Sequence, residues 1–152
     1  MIIPLILWTG ISQATYSGCF VPMINSGMND KDWSANRKLS MSLYAMIPLG
    51  ASEILGSLLH GRILDRHGNK AGVMWCMATL VGALVLVFVY LNIFEFGVVA
   101  FVMTFMWGLH DSALSNQANC ILGFEFESKI LPFAIYKFVQ SFCTFIFLVI
   151  EA

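Results

Sequence analysis

Charge is what this chain has least of. Eight Lys or Arg and nine Asp or Glu make up 11% of 152 residues, against about 25% in an ordinary soluble domain. The net charge of −1 excludes the basic footprint by which proteins hold nucleic acid. Cys19, Cys76, Cys120 and Cys143 show no CxxC spacing, so neither a zinc site nor a disulfide framework is indicated, and they are read as free thiols. There is no HExxH pair, no nucleophile beside a base and no phosphate-binding glycine loop, which argues against an enzyme. His60, His67 and His110 are read as polar helix or loop residues. No cofactor and no metal are expected. The chain also lacks a low-complexity tract, a linker and room for a second domain, so residues 1–152 are taken as one unit.

What it has is apolar length. Hydrophobic residues reach 59% and the mean hydropathy is +0.79, more than a soluble fold of this size can hide. A spanning helix needs about 20 mostly apolar residues. Five runs qualify: Ile2 to Ile24, Leu39 to His60, Ala71 to Leu91, Phe94 to Asn116 and Leu131 to Ile150. The first is no signal peptide, because no positive region precedes it and Gln13, Thr15 and Ser17 interrupt it. The expectation is an all-α, multi-pass integral membrane protein, a bundle of about five transmembrane helices whose first partner is the lipid bilayer.

Five crossings place alternate connections on opposite sides. Arg62, Arg66, Lys70 and Lys129 fall on one side; Lys31, Arg37 and Lys38 fall on the other. The excess of one cation points the Gly61 to Lys70 side to the cytoplasm. The longest polar stretch, Asn25 to Lys38, suits a solvated turn. Trp8, Trp33, Trp75 and Trp107 are read as interfacial anchors, Trp107 with a deeper placement open, and the nine methionines as lipid-compatible packing.

Ionisable groups at bilayer depth cost about 2.5 to 3.5 kcal/mol on insertion scales, so each needs a partner or a wet cavity. Three fall within the runs: Glu53, Asp111 and Lys137. Gly50, Glu53, Gly56, Ser57 and His60 recur at intervals of three and four on the second helix, which makes a face for close helix packing or a contact for a solute, proton or ion. Gly108, Asp111, Ser112, Ser115 and Asn119 recur likewise on the fourth, the most polar face of the chain. It must turn toward protein or water, as an interhelical hydrogen-bond seam or as a substrate pathway. On the fifth helix, which opens with Pro132 in its first turn, Lys137, Gln140, Ser141 and Thr144 share a face. Lys137 either snorkels to the headgroups or pairs with Asp111 or Glu53.

The sequence GRILDRHGNK, with Gly61, Asp65, Arg66, Gly68 and Lys70, resembles the G-x-x-x-D-R-x-G-x-K loop of the major facilitator superfamily. In physical terms the glycines permit a tight turn, Asp65 can cap a helix end, and the cations hold the loop at the cytoplasmic surface. GASEILGS from Gly50, GLHDSALSNQANCILG from Gly108 and FAIYKFVQS from Phe133 are similar to the C-terminal half of the UNC93-like branch of that superfamily. The resemblance covers essentially the whole chain and makes the five spans equivalent to helices seven through eleven. It implies a gating loop formed by the five matching residues, and a translocation path lined by Glu53, Asp111, Ser115, Lys137 and Gln140. Family members have twelve helices in two halves, and alternating access needs both. The expectation is therefore one of three: a fragment, a chain completed by another helical bundle, or an activity other than transport. The function implied is half of a solute or ion transporter or a channel-regulatory relative. The alternative is a non-transporting scaffold, chaperone or structural subunit bound to a membrane-protein partner.

Overall fold

The computed structural model describes residues 3–29, 31–126 and 130–151. Ile2 and Lys129, which open the first apolar run and complete the cation count, lie outside them. Helices α1 (Ile3–Ala14), α2 (Phe20–Ser26), α3 (Ala35–Tyr44), α4 (Ile47–Ile93), α5 (Val98–Glu125) and α6 (Ile130–Glu151) account for nearly all of the described residues, and no strand occurs among them. Three helical stretches are long and apolar enough to cross a membrane: Ala35–Ile93, Val98–Phe124 and Ile130–Glu151. Their outward faces carry large apolar side chains, Ile54, Leu58 and Phe88 on α4 and Phe138 and Ile150 on α6. A soluble protein turns such residues inward; hydrocarbon solvates them without cost.

Helix α4 bends back on itself. At Gly68 the backbone takes φ 76° and ψ −178°, a region essentially closed to residues with a Cβ. The contacts with α5 show the reversal. Before Gly68 the register climbs in step: Thr104 Oγ1 donates to the Ala45 carbonyl at 2.7 Å, Gly108 abuts Leu49 and Ser52, and Gly56 abuts Leu109 and Ser112. After Gly68 it descends: Gly72 abuts Gln117, Thr79 reaches His110 and Gly82 abuts Met106. The two arms of α4 thus run antiparallel, with α5 packed against both. Of the two loop glycines, only Gly68 makes the turn. Gly61 lies inside the helix with open space around it, and Asp65 is an exposed residue of the same helix, not a cap at its end.

A π-helical turn, Thr15–Cys19, separates α1 from α2. Thr15 Oγ1 donates to the Ile11 carbonyl at 2.9 Å and Ser17 Oγ to the Gln13 carbonyl at 2.6 Å, a pattern that loosens the backbone ladder. Pro22 adds to this, because it has no N–H for the carbonyl of Gly18 and its ring crowds that carbonyl. The wider turn gives the ring room.

At the end opposite Gly68 the connections are stitched together. The Phe96 N–H donates to the Gly27 carbonyl at 3.2 Å, and Lys31 Nζ donates to the Phe96 carbonyl at 3.3 Å. The Lys31 ammonium lies 4.9 Å from the Trp33 ring centre and 5.3 Å from that of Phe96, and the Arg37 guanidinium lies 4.6 Å from Trp33. Such cation–aromatic contacts suit a membrane–water boundary, as expected of Trp33. Trp107 is different: it is 3% exposed and packs edge-on against Phe20 at 5.1 Å. It belongs to the core with Ile24, Met28, Leu49, Tyr90 and Met103, so it is no interfacial anchor.

Helix α5 starts at Val98, not Phe94. Phe94 holds a left-handed conformation, φ 47°, that ends α4, and Gly97 is extended. It also runs past Asn116 to Glu125. Polarity suggested a boundary there, but 28 residues rise about 42 Å, beyond the ~30 Å hydrocarbon core; past Asn116, Gln117 stays buried against Gly72 while Asn119 is exposed. Because Gly68 occupies a glycine-only region, Gly68→Ala should destabilise the fold by about 1–3 kcal/mol, while Gly61→Ala, inside the helix with open space at its Cβ, should stabilise it by up to about 1 kcal/mol. Thermal unfolding of the two variants in detergent measures the difference, and equal midpoints would show that the turn carries no strain.

Candidate functional site

The polar side chains of the spans divide between two faces of α5. Toward α4, Gly108 and Ser112 are buried against Leu49, Ser52 and Gly56. The packed stripe on α4 is therefore Leu49, Ser52, Gly56 and His60, all buried, while Gly50 and Ser57 are exposed and Glu53 is half-buried at its margin. Gly56 and His60 of the expected stripe pack, and Leu49 and Ser52, one residue earlier, take the places expected of Gly50 and Glu53. Asn119 is exposed.

Toward α1 and α6 the arrangement is polar. Asp111 is half-buried near the middle of α5 and its Oδ1 accepts a hydrogen bond from Ser12 Oγ of α1 at 2.8 Å. Glu53 lies within Coulombic reach of Asp111, Tyr16 in the π-helical turn within reach of both carboxylates, and Lys137 within reach of Asp111. The Lys137 ammonium donates to Gln140 Oε1 at 2.9 Å and stands 5.0 Å from the Tyr136 ring centre; Gln140 is buried and Lys137 itself exposed. Ser115 is half-buried beside Tyr136, whose fully buried hydroxyl also faces Thr9. The structure thus gathers Glu53, Asp111, Ser115, Lys137 and Gln140 into one neighbourhood at mid-bundle depth. It adds Ser12, Thr9, Tyr16 and Tyr136, which the sequence did not single out. Ser12 and Thr9 were hidden because isolated hydroxyls are common in apolar helices, although the intervals of three from Thr9 to Ser12 and four from Ser12 to Tyr16 were readable.

Close helix approach holds this focus in place. A Cβ at Gly10 of α1 would stand 2.6 Å from Cys143 Cβ and 2.8 Å from the Gln140 carbonyl of α6, and Thr144 Oγ1 donates to the Gly10 carbonyl at 3.1 Å. The absence of a side chain lets the two backbones touch, and the hydroxyl then secures them.

A second polar group joins α1, α5 and the returning arm of α4. Trp8 Nε1–H donates to His110 Nε2 at 3.1 Å. That bond leaves the proton of a neutral ring on Nδ1, which faces Thr79 Oγ1 at 3.4 Å. Trp8 is therefore an interhelical donor, not a free interfacial ring. Beside it lies a cavity of about 340 Å³ walled by Leu5, Val73, Met77, Leu80, Leu114 and Ile121. At the hairpin end, Gln117 Nε2 donates to Asn69 Oδ1 across the turn. Asp65 and Asn69 line a separate hollow of about 320 Å³ with Cys120 and Phe124, and Arg62, Arg66 and Lys70 are exposed at that end. Among the described residues no three His, Cys, Asp or Glu side chains cluster closely enough to hold a metal ion between them.

Compared with known proteins, the chain matches no family model and no solved structure. If the Trp8 to His110 bond couples the helices, Trp8→Phe, which keeps the ring bulk, should cost about 0.6–1.7 kcal/mol. His110→Ala combined with Trp8→Phe should cost less than the sum of the single changes. A double-mutant cycle on thermal unfolding in detergent checks this, and strict additivity would show that the contact contributes nothing.

Proposed function

We propose that the chain is a five-crossing bundle of the major facilitator type, similar to the C-terminal half of UNC93-like proteins, and that it forms one wall of a path for a solute or ion. In this reading Ile3–Ser26, Ala35–His67, Asn69–Ile93, α5 and α6 are the crossings, and the Gly68 hairpin lies in the cytoplasm as a gate. One observation carries it: in a chain with an apolar exterior, ionisable and hydroxyl side chains from α1, α4, α5 and α6 converge on Asp111 at mid-bundle depth. Groups so costly to insert are placed there for a purpose that lipid-facing packing does not require. Alternating access then calls for a second helical bundle to close the other side. Such a bundle would meet the half-buried face on which Glu53, Asp111 and Ser115 stand.

A second reading has its own support. The Ser12 to Asp111 and Thr144 to Gly10 bonds join helices pairwise, as in a sealed scaffold that presents its outer faces to a membrane-protein partner or regulates a channel. Water separates the two readings. In a background with the four cysteines replaced by alanine, a path makes Ser115→Cys reactive toward a membrane-impermeant thiol reagent from at least one side of sealed vesicles, while Ala113→Cys, wholly buried, stays unlabelled. Protection of position 115 from both sides would sink the path and leave the scaffold. In the same vesicles Arg66→Cys should label from the cytoplasmic side alone and Asp32→Cys from the other. Labelling of Arg66→Cys from outside would reverse the orientation.

A further inference from the structure

We propose that the groove between α1, the returning arm of α4 and α5 holds one acyl chain of an anionic phospholipid from the leaflet on the hairpin side, with the headgroup phosphate against Lys70. This goes beyond the path reading and asks of it only that the Gly68 hairpin stands at a membrane surface.

The first argument is shape. Along α5 the groove runs from Ile121, near the hairpin, to His110, a rise of about 16 Å, and it ends at mid-bundle depth beside the Trp8 to His110 bond. That is the thickness of one leaflet of a ~30 Å hydrocarbon core. A volume of about 340 Å³ over that length leaves a mean cross-section of about 20 Å², the girth of one extended hydrocarbon chain. A fused-ring sterol is wider, and a helix, at about 10 Å across, is wider still. Val73 and Met77 of its wall are 44% and 57% exposed, so the groove opens sideways to lipid.

The second argument is what can fill it. Water held in a cavity needs about two to four polar partners, and the polar side chains of this wall are engaged elsewhere. Trp8 Nε1–H donates to His110 Nε2, His110 Nδ1 faces Thr79 Oγ1, and Gln117 Nε2 donates to Asn69 Oδ1. What remains of the wall is almost entirely apolar. Left empty, it would forfeit the van der Waals contact on which helix association in hydrocarbon rests. A neighbouring acyl chain supplies that contact.

The third argument is charge at the open end. Lys70, Val73, Met77 and Leu80 recur at intervals of three and four along the returning arm, which is one helical stripe, and the last three of them line the groove. Lys70 therefore stands at the hairpin end of that stripe, exposed, and its flexible stem lets the ammonium reach headgroup level. Asp65, the acid nearest to it in sequence, lines the separate hollow with Cys120 instead. A cation at the surface attracts a lipid of net negative charge and does little for a zwitterionic one.

The test is quenching of tryptophan emission from the purified full chain in detergent by phosphatidylglycerol brominated at mid-chain, with the same chains on phosphatidylcholine as the comparison. Bromine quenches an indole only at close range, and Trp8 lines the groove. The expected result is saturable quenching, with half-saturation roughly fivefold lower for phosphatidylglycerol, the equivalent of one surface lysine. Trp8→Phe should remove the saturable part. Val73→Phe, which fills the groove, should abolish it, whereas Val81→Phe, exposed on the same arm outside the groove, should change nothing. Lys70→Gln should bring phosphatidylglycerol to the level of phosphatidylcholine, and Lys70→Arg should keep the preference. Quenching that never saturates, that survives Val73→Phe or that is lost equally in Val81→Phe overturns the proposal. So does equal binding of the two lipids by the native chain, a preference retained in Lys70→Gln, or displacement by cholesterol as readily as by unbrominated phosphatidylglycerol. If Trp8→Phe does not fold, the two valine variants decide it. Labelling at position 115 tests the path separately, and neither of its outcomes alters this result.

Discussion

The close packing of α5 against both arms of α4 is the constraint on which the rest of the molecule depends. Between helices in hydrocarbon there is no hydrophobic driving force, so association rests on van der Waals contact and a few polar bonds. Here the contact is bought by missing side chains. Gly108 lies against the backbone of Leu49, Gly56 against Leu109 and Ser112, and Gly72 against Gln117. These approaches bring the arms of α4 alongside α5 only because Gly68 reverses the chain between them. With that geometry set, the buried cluster of Phe20, Leu49, Tyr90, Met103 and Trp107 can form, and one face of α5 is left to meet α1 and α6.

That remaining face explains why the polar residues lie where they do. α5 has more neighbours than an apolar stripe can serve, so its small residues face α4 and its ionisable ones face α1 and α6. Interhelical hydrogen bonds in membranes average only about 0.6 kcal/mol, because the separated helices find other partners. The bond from Ser12 to Asp111 therefore satisfies a costly buried carboxyl more than it adds to the stability of the bundle.

Much of this was legible in the sequence, and the failures share a cause. The apolar runs and the paucity of charge gave the all-helical, membrane-suited class, because hydrocarbon restricts spanning structures so severely. The turn at Gly68 could be read from GRILDRHGNK, though not that Gly61 would stay inside a helix, since both glycines satisfy the same pattern. Spacing placed Gly50, Glu53, Gly56, Ser57 and His60 on one face; the structure packs Gly56 and His60 of these, with Leu49 and Ser52 beside them, and leaves Gly50 and Ser57 exposed. A period of three and four does not distinguish stripes one residue apart; the shape of the partner helix does. The end of α5 was misplaced at Asn116 because polarity marks the membrane boundary, whereas a helix continues as long as its own carbonyls find N–H groups.

What the sequence hid most completely is the contribution of α1. Its residues Thr9, Ser12 and Tyr16 look incidental in an apolar run, and their meaning comes only from what stands opposite. Pro22 and the hydroxyls of Thr15 and Ser17 weaken the helical ladder there, while the turn still packs: Tyr16 lies against the core cluster and Gly18 against Leu148 and Glu151 of α6. It stands one turn from the Ser12 to Asp111 bond, so the wider turn sets the register between the residues of α1 that meet α5 and Phe20 and Ile24, which enter the core.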